Sequence, residues 1–371
     1  MKKVALVTFH TPFSIGAQLQ AFALQEAIRI NGYDCQILNY TPPMVSPSSH
    51  IPLARRIYTK VSSHLFSRKI KKLHTRFNDW RSKRLRCTEM IPTISRLKEE
   101  SKLFDVFVCG SDQIWRNPSQ GYYFLDFVSD SASRIAYAPS FGNIHFDDDA
   151  KELIKDYLNR FDFLSVRETD GARFASNLVG RNIPQVLDPT LLWSTEFWRE
   201  FAKDVGEKLP KRYLLVFSIQ DTIACLKAAK TIGSHLGIPL VFIDSARRLL
   251  WHPFLKNYFD VGPAEFLTLV DRAEFIVTSS FHGTAFAVNF GKRFLTICRK
   301  GAENVNSRIE TLADMLNAQD RLISPNGVIP HSIFDEVRTE THVLLARERE
   351  RCRNILKESL LLQYLQKETL K

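Results

Sequence analysis

The sequence predicts an α/β protein of two Rossmann-like domains facing a cleft, and three observations carry that reading. Short apolar runs such as Phe275-Ile276-Val277 alternate with helical stretches along most of the chain, the pattern of parallel strands buried on both faces. A chain of 371 residues, 44% of them hydrophobic, can bury two ordinary cores rather than one. A charged stretch holding a glycine and a proline, Lys203 to Arg212, separates two αβ series. The expected division is an N-terminal α/β domain over 1–205, a C-terminal α/β domain over 211–330 and a charged helical segment over 331–371.

In chain order, Val4 to Phe9 reads as the first strand. A turn at Thr11 to Ser14 leads through Gly16 into a helix that stops near Asn31-Gly32, and Cys35 to Tyr40 is the next strand. Gly16, near the helix start, either opens an anion or substrate site or only permits close packing. There is no GxGxxG, so no dinucleotide site is supported. Four prolines and three serines from Thr41 to Pro52 mark a loop. Further strands are expected at Phe104 to Cys109, Ser133 to Ala138, Phe163 to Val166 and Gln185 to Leu187. The second series has strands at Tyr213 to Ile219 and Pro239 to Ile243, and helices at Thr222 to Leu236, Gly262 to Val270 and Arg308 to Leu316.

The stretch Glu274 to Ile297 organises the rest. It reads as strand, tight turn, helix and strand, with Ser279-Ser280-Phe281-His282-Gly283 in the turn and the helix over Thr284 to Phe290. A turn at the carboxyl end of a parallel strand is where α/β folds bind ligands. An imidazole there can move protons near neutral pH, and the helix N–H groups after Gly283 favour an anion. Asp112 follows another strand end, where it can meet substrate or cap its own turn. Arg167 ends a third strand and offers a fork of donors to a carboxylate or phosphate, or pairs with a neighbouring acid such as Glu168.

The formal charge of +11 is concentrated. Between Ile51 and Arg86 twelve Lys or Arg face a single acid, Asp79, so the rest of the chain is formally neutral. Apolar residues recur there every three to five positions, which predicts basic amphipathic helices over 53–86 whose charges form an outer face. Such a face is either solvated or lies on anionic lipid. No recognition motif accompanies it, so nucleic acid is not expected. Six scattered cysteines without a CxxC pair fit a reducing cytoplasm and no zinc site, and no acidic cluster points to another metal. No signal peptide and no run of 18 apolar residues is evident, so the expected location is cytoplasmic, with peripheral contact at the inner face of the membrane through the basic helices.

Six blocks together carry a family resemblance: GAQLQAFALQEAI from Gly16, FDVFVCGSDQIW from Phe104, SRIAYAPSFG from Ser133, LSVRE from Leu164, VLDPTLLW from Val186, and GPAEFLTLV followed by TSSFHGTAFA. In their order and number they resemble the polysaccharide pyruvyl transferase family over most of the chain. The resemblance implies a GT-B-like arrangement, with the acceptor on the N-terminal domain and the donor on the C-terminal one. It also implies transfer of pyruvate from phosphoenolpyruvate, a donor substrate rather than a cofactor, onto two hydroxyls of a sugar as a ketal; contact of the basic helices with the membrane would make that saccharide a lipid-linked one. Some members carry Arg two positions before the His, where this chain has Ser280, so the anion must be held by another cation or the donor differs.

Ketal formation needs a general acid, a general base and cations for a phosphate and a carboxylate. His282 is the expected acid/base, Asp112 the group that orients or deprotonates the acceptor hydroxyl, and Arg167 and Arg308 the anion-binding cations. The other residues assigned to substrate are Gly16, Gln20, Ser111, Gln113, Glu168, Ser279, Ser280, Gly283, Thr284 and Asn306. Two other readings share these features: a glycosyltransferase that uses a nucleotide sugar, and a carbohydrate-binding member without catalysis. Neither the acceptor sugar nor an oligomeric state follows from the sequence.

Overall fold

The computed structural model describes residues 2–42, 67–206, 208–243, 256–258, 260–299 and 306–368. Strands β1 (Lys3–Val7), β2 (Asp34–Ile37), β3 (Val106–Cys109), β4 (Ser133–Ala136) and β5 (Phe163–Leu164) form one parallel sheet in the order β2-β1-β3-β4-β5. A second parallel sheet has the order β11-β10-β9-β6-β7-β8. It is built from β6 (Leu214–Phe217), β7 (Leu240–Ile243), β8 (Lys256–Tyr258), β9 (Phe275–Thr278), β10 (Arg293–Ile297) and β11 (Leu322–Ile323). The central strands are buried along their whole length, as apolar runs such as VFVC and FIVT require.

Several expected boundaries move. Strands β1, β2, β4, β5 and β6 end two or three residues earlier than the apolar runs suggest. Gln185 to Leu187 is not a strand; Gln185 makes an isolated bridge to Val166, and Asp188 then caps a short 3-10 turn, Pro189–Leu192. The helix after β9 begins at Phe281 rather than Thr284, because the Ser280 hydroxyl caps it by accepting from the Gly283 N–H at 3.3 Å. His282 therefore lies in the first turn of this site helix, Phe281–Asn289. The sequence reading assigns no helix to Ile94–Ser101, Asp148–Asn159 or Thr169–Val179, and all three are helical.

An aromatic seam joins the two halves. Phe22, on the first helix, packs against Trp80 and Phe201 with ring centroids 5.3 and 4.8 Å apart. Trp198 meets Phe286 of the site helix at 5.1 Å, and Phe286 meets Phe266 at 5.5 Å. Helix Thr339–Glu368 follows the second sheet in sequence yet packs on the first half. The Tyr33 hydroxyl donates to the Leu360 carbonyl at 2.9 Å, Arg351 Nη2 donates to the Gln185 carbonyl at 2.9 Å, and Cys352 is buried beside Leu187.

Of the basic segment, 53–66 lies outside the described residues, and Ser67–Arg84 is a helix that buries Phe77 and Trp80. Its charges do not all form an outer face. Arg76 turns inward, donating to the Asp260 and Val205 carbonyls at 2.6 Å each and pairing with the Asp260 and Glu265 carboxylates at 3.3 and 3.4 Å. Lys72 also reaches Asp260, at 2.6 Å. Gly262 allows this approach, since a Cβ there would lie 2.7 Å from that of Arg76. All six cysteines are free, and among the described residues no helix is long and apolar enough to cross a membrane.

Arg76→Ala leaves two backbone carbonyls and two largely buried carboxylates short of a partner, and should cost roughly 3 kcal/mol. Lys72 is half exposed, and Lys72→Ala should cost less than about 1 kcal/mol. Denaturant unfolding of both variants checks this; equal losses would mean that Arg76 is an ordinary surface cation.

Candidate active site

The site forms where strand ends of the two sheets meet. After β3 the chain turns through Gly110, at φ 130°, where a Cβ would collide with the Tyr137 carbonyl. This turn buries Ser111, whose hydroxyl lies 2.8 Å from the Ala138 carbonyl and 3.2 Å from Asp188 Oδ2. Asp112 follows in the left-handed region, at φ 73°, its Oδ1 accepting from the Gln113 N–H at 2.8 Å. After β5 the chain delivers Arg167 and Glu168, and the bridge between Val166 and Gln185 brings Asp188 alongside them.

Asp188 is 1% exposed and fully engaged. Its Oδ1 accepts from the Thr190 N–H at 2.9 Å and the Thr190 hydroxyl at 2.7 Å, and its Oδ2 accepts from Arg167 Nη1 at 2.6 Å. Burial opposes its charge, yet the Arg167 guanidinium and the hydrogen bonds from Thr190 hold it below the usual carboxylate range. The same Oδ2 lies 3.8 Å from His282 Nε2, beyond hydrogen-bond reach. The His282 ring comes from the opposite sheet and rests on Gly16, where a Cβ would collide with it. Burial lowers the His282 pKa and favours the neutral imidazole.

The Phe281 ring lies under two arginines, with Arg167 Cζ at 4.6 Å and Arg308 Cζ at 6.0 Å from its centroid. Burial and the neighbouring Arg167 push Arg308 down to about 10, still a cation at neutral pH. Arg167 spends only Nη1 on Asp188. Its Nε and Nη2, which form the edge that grips a carboxylate or phosphate with two parallel bonds, have no hydrogen-bond partner among the described residues. The same holds for Arg308 Nε, His282 Nε2 and both carboxylate oxygens of Glu168. Asp112 Oδ1 and Glu168 Oε1 flank the open Arg167 edge at 3.8 and 3.7 Å. Buried polar atoms without partners are costly to a fold, and six around one point mark a place built for a polar ligand. Two arginines in one buried spot suit an anion. Among the described residues no group of three or more His, Cys, Asp and Glu could hold a metal ion.

Of the residues expected from sequence, Gly16, Ser111, Asp112, Arg167, Glu168, His282 and Arg308 come together here. The others serve the scaffold. Gln20 donates to the Thr8 hydroxyl and the Ala17 carbonyl at 2.9 and 3.0 Å, and accepts from the Ser111 N–H at 3.0 Å. The Gln113 side chain packs beside Gly142. Ser279 bonds the backbone of Gln220, Thr284 lies 2.9 Å from the Thr296 hydroxyl, and Asn306 brackets the backbone of Arg299. The N–H groups of Gly283 and Thr284, expected to face an anion, go to the Ser280 hydroxyl and carbonyl. Asp188 is the central residue that sequence reasoning missed. Its signal was Asp-Pro-Thr, which a local cap explains completely.

The fold resembles solved structures at low identity. A UDP-N-acetylglucosamine 2-epimerase of Rickettsia bellii is 11% identical, with 99% of this chain and 96% of that one covered at a TM-score of 0.53. The UDP-GlcNAc 2-epimerase of Neisseria meningitidis, solved bound to UDP-GlcNAc, is 11% identical, with 97% and 100% covered at 0.50. These likenesses establish the two-domain, GT-B-like fold. A search of curated proteins finds no match. The family model described as polysaccharide pyruvyl transferase matches residues 15–298, which include every residue of the site except Arg308. On that match, spanning most of its length, this chain belongs to the polysaccharide pyruvyl transferase family.

Proposed function

We propose that the protein transfers the pyruvyl group of phosphoenolpyruvate to two hydroxyls of a saccharide, forming a ketal and releasing phosphate. The observation that carries this reading is the buried edge of Arg167 that makes no hydrogen bond, beside Arg308, in a site that also holds a neutral histidine. A small, highly charged donor needs such cations, and the transfer needs a group that can take a proton from a hydroxyl. The Arg167 edge grips the carboxylate or the phosphate, and Arg308 takes up the remaining charge. These two supply the cation for which Ser280 leaves no arginine on the site helix. His282, kept neutral by burial, accepts the proton of the attacking hydroxyl, and Asp188 stabilises the imidazolium that results. Asp112, at the rim, orients the acceptor.

The direct test incubates the protein with phosphoenolpyruvate and a panel of saccharides, and in parallel with UDP-sugars. Phosphate release that depends on the saccharide, with a pyruvyl ketal on the product, is the expected result; nucleotide release from a UDP-sugar would replace this reading with glycosyl transfer. His282→Ala should lower kcat by roughly 10²-fold or more with the fold intact. Gly16→Ala, which pushes the ring out of place, should lower kcat in the same direction. Because burial lowers the His282 pKa and the base must be unprotonated, activity should fall with pH only below the ordinary imidazole range, and His282→Ala should lose that acidic limb. Arg167→Lys keeps the charge but not the two-bond edge, so the donor KM should rise roughly tenfold or more. An unchanged donor KM would place the anion elsewhere.

A further inference from the structure

The ketal reaction needs an acid as well as a base, and Glu168 has no part in the roles assigned above. It occupies the position just before helix Thr169–Val179, where a glutamate would ordinarily face solvent, but its side chain makes no cap bond. Instead it turns inward and is only 3% exposed. Neither carboxylate oxygen makes a hydrogen bond of full geometry to a described residue, the Ser140 hydroxyl being the donor that acts on it, and Oε1 lies 3.7 Å from Arg167 Nε, the nitrogen that opens the anion-gripping edge. Glu168 also borders a small pocket lined by Gly142, Asn143, Asp170 and Ser307, although its carboxylate oxygens are themselves buried.

We propose that Glu168 is the acid that protonates the methylene carbon of the enol donor. The proposal rests on the pyruvyl-transfer reading. The donor's carboxylate or phosphate on the Arg167 edge puts its remaining atoms within one side-chain length of Glu168. In the first step the Glu168 O–H bond breaks, and the C2–C3 double-bond pair forms the new C–H bond, leaving a cation at C2. An acceptor hydroxyl attacks C2 while its proton passes to His282. The bond from C2 to the phosphate oxygen then breaks with its electron pair on phosphate, which takes the proton held by His282. The second hydroxyl closes the ketal at C2, and its proton returns to the Glu168 carboxylate, restoring the acid.

The electrostatics agree with this division. Burial raises the Glu168 pKa, while Arg167, Ser140 and Arg308 oppose it. An anionic donor on the two arginines cancels their pull and adds like charge beside the carboxyl, so the arriving substrate itself favours the protonated acid. Burial moves His282 the opposite way, toward the neutral base.

The test uses the full chain with phosphoenolpyruvate and a saccharide that supports turnover. Glu168→Gln keeps the shape and a donor hydrogen but cannot release a proton. It should lower kcat by roughly 10²- to 10⁴-fold, leave donor affinity within about threefold, and lose the basic limb of the pH profile. Glu168→Ala, made in parallel, should regain activity with added formate, which fits the space that the side chain vacates. Thermal melts confirm folding, and Glu168→Asp replaces any variant that does not fold, with a smaller loss in kcat at unchanged donor affinity. Near-normal kcat in Glu168→Gln, or a loss confined to donor affinity, overturns the assignment while pyruvyl transfer stands. Absence of phosphate release by the wild-type protein with every saccharide overturns both.

Discussion

The short bond between Asp188 and Arg167 is the constraint on which the site depends. Both groups are almost wholly buried, and each would be costly there alone. Thr190 and Ser111 take up the rest of the Asp188 oxygens, so the carboxylate cannot rotate and the guanidinium bonded to it cannot either. The bond occupies Nη1 and thereby decides which edge of Arg167 faces the cleft. A lysine in the same place would carry the charge without defining a direction. Asp188 thus acts on the ligand through its neighbour, and it does so from the end of an irregular segment that belongs to no sheet.

The same carboxylate faces His282 across the cleft, although the two come from opposite halves of the chain. What sets their separation is packing rather than a direct bond. The site helix is seated by Phe286 in the aromatic seam, and its first turn is fixed by the Ser280 cap. Gly16 lets the imidazole settle against the first helix with no side chain between them. Apolar contacts therefore place a polar site to within the tolerance that proton transfer demands.

Much of this was legible in the sequence, for identifiable reasons. Apolar runs such as VFVC and FIVT announce parallel strands, and polar residues directly after them, Asp112 and Arg167 among them, announce a ligand-facing edge. Residues whose bonding is local could not be separated from residues that meet a ligand. Ser280 and Asn306 look available in the sequence, yet their partners lie a few residues away. Gln20 was opaque for the opposite reason, since its partner Ser111 is 91 positions distant. Asp188 combines both difficulties: a short-range cap accounts for its type, and its long-range bond to Arg167 leaves no periodic trace. The direction of Arg76 was hidden as well, because a helix rich in arginine gives no sign of which one turns inward until Asp260 and Glu265 are placed against it.

Helix Thr339–Glu368 carries a consequence for how the molecule comes into being. Leu356 and Leu360 are buried in the core they share with Tyr33, and Cys352 lies against Leu187. The patch on the first half that covers them is made before the second sheet, whereas its lid is made after it. While the second sheet is still being translated, that apolar patch has no covering from its own chain. Completion of the earlier half therefore waits on a helix that follows the second sheet, and the two halves cannot mature as successive independent units.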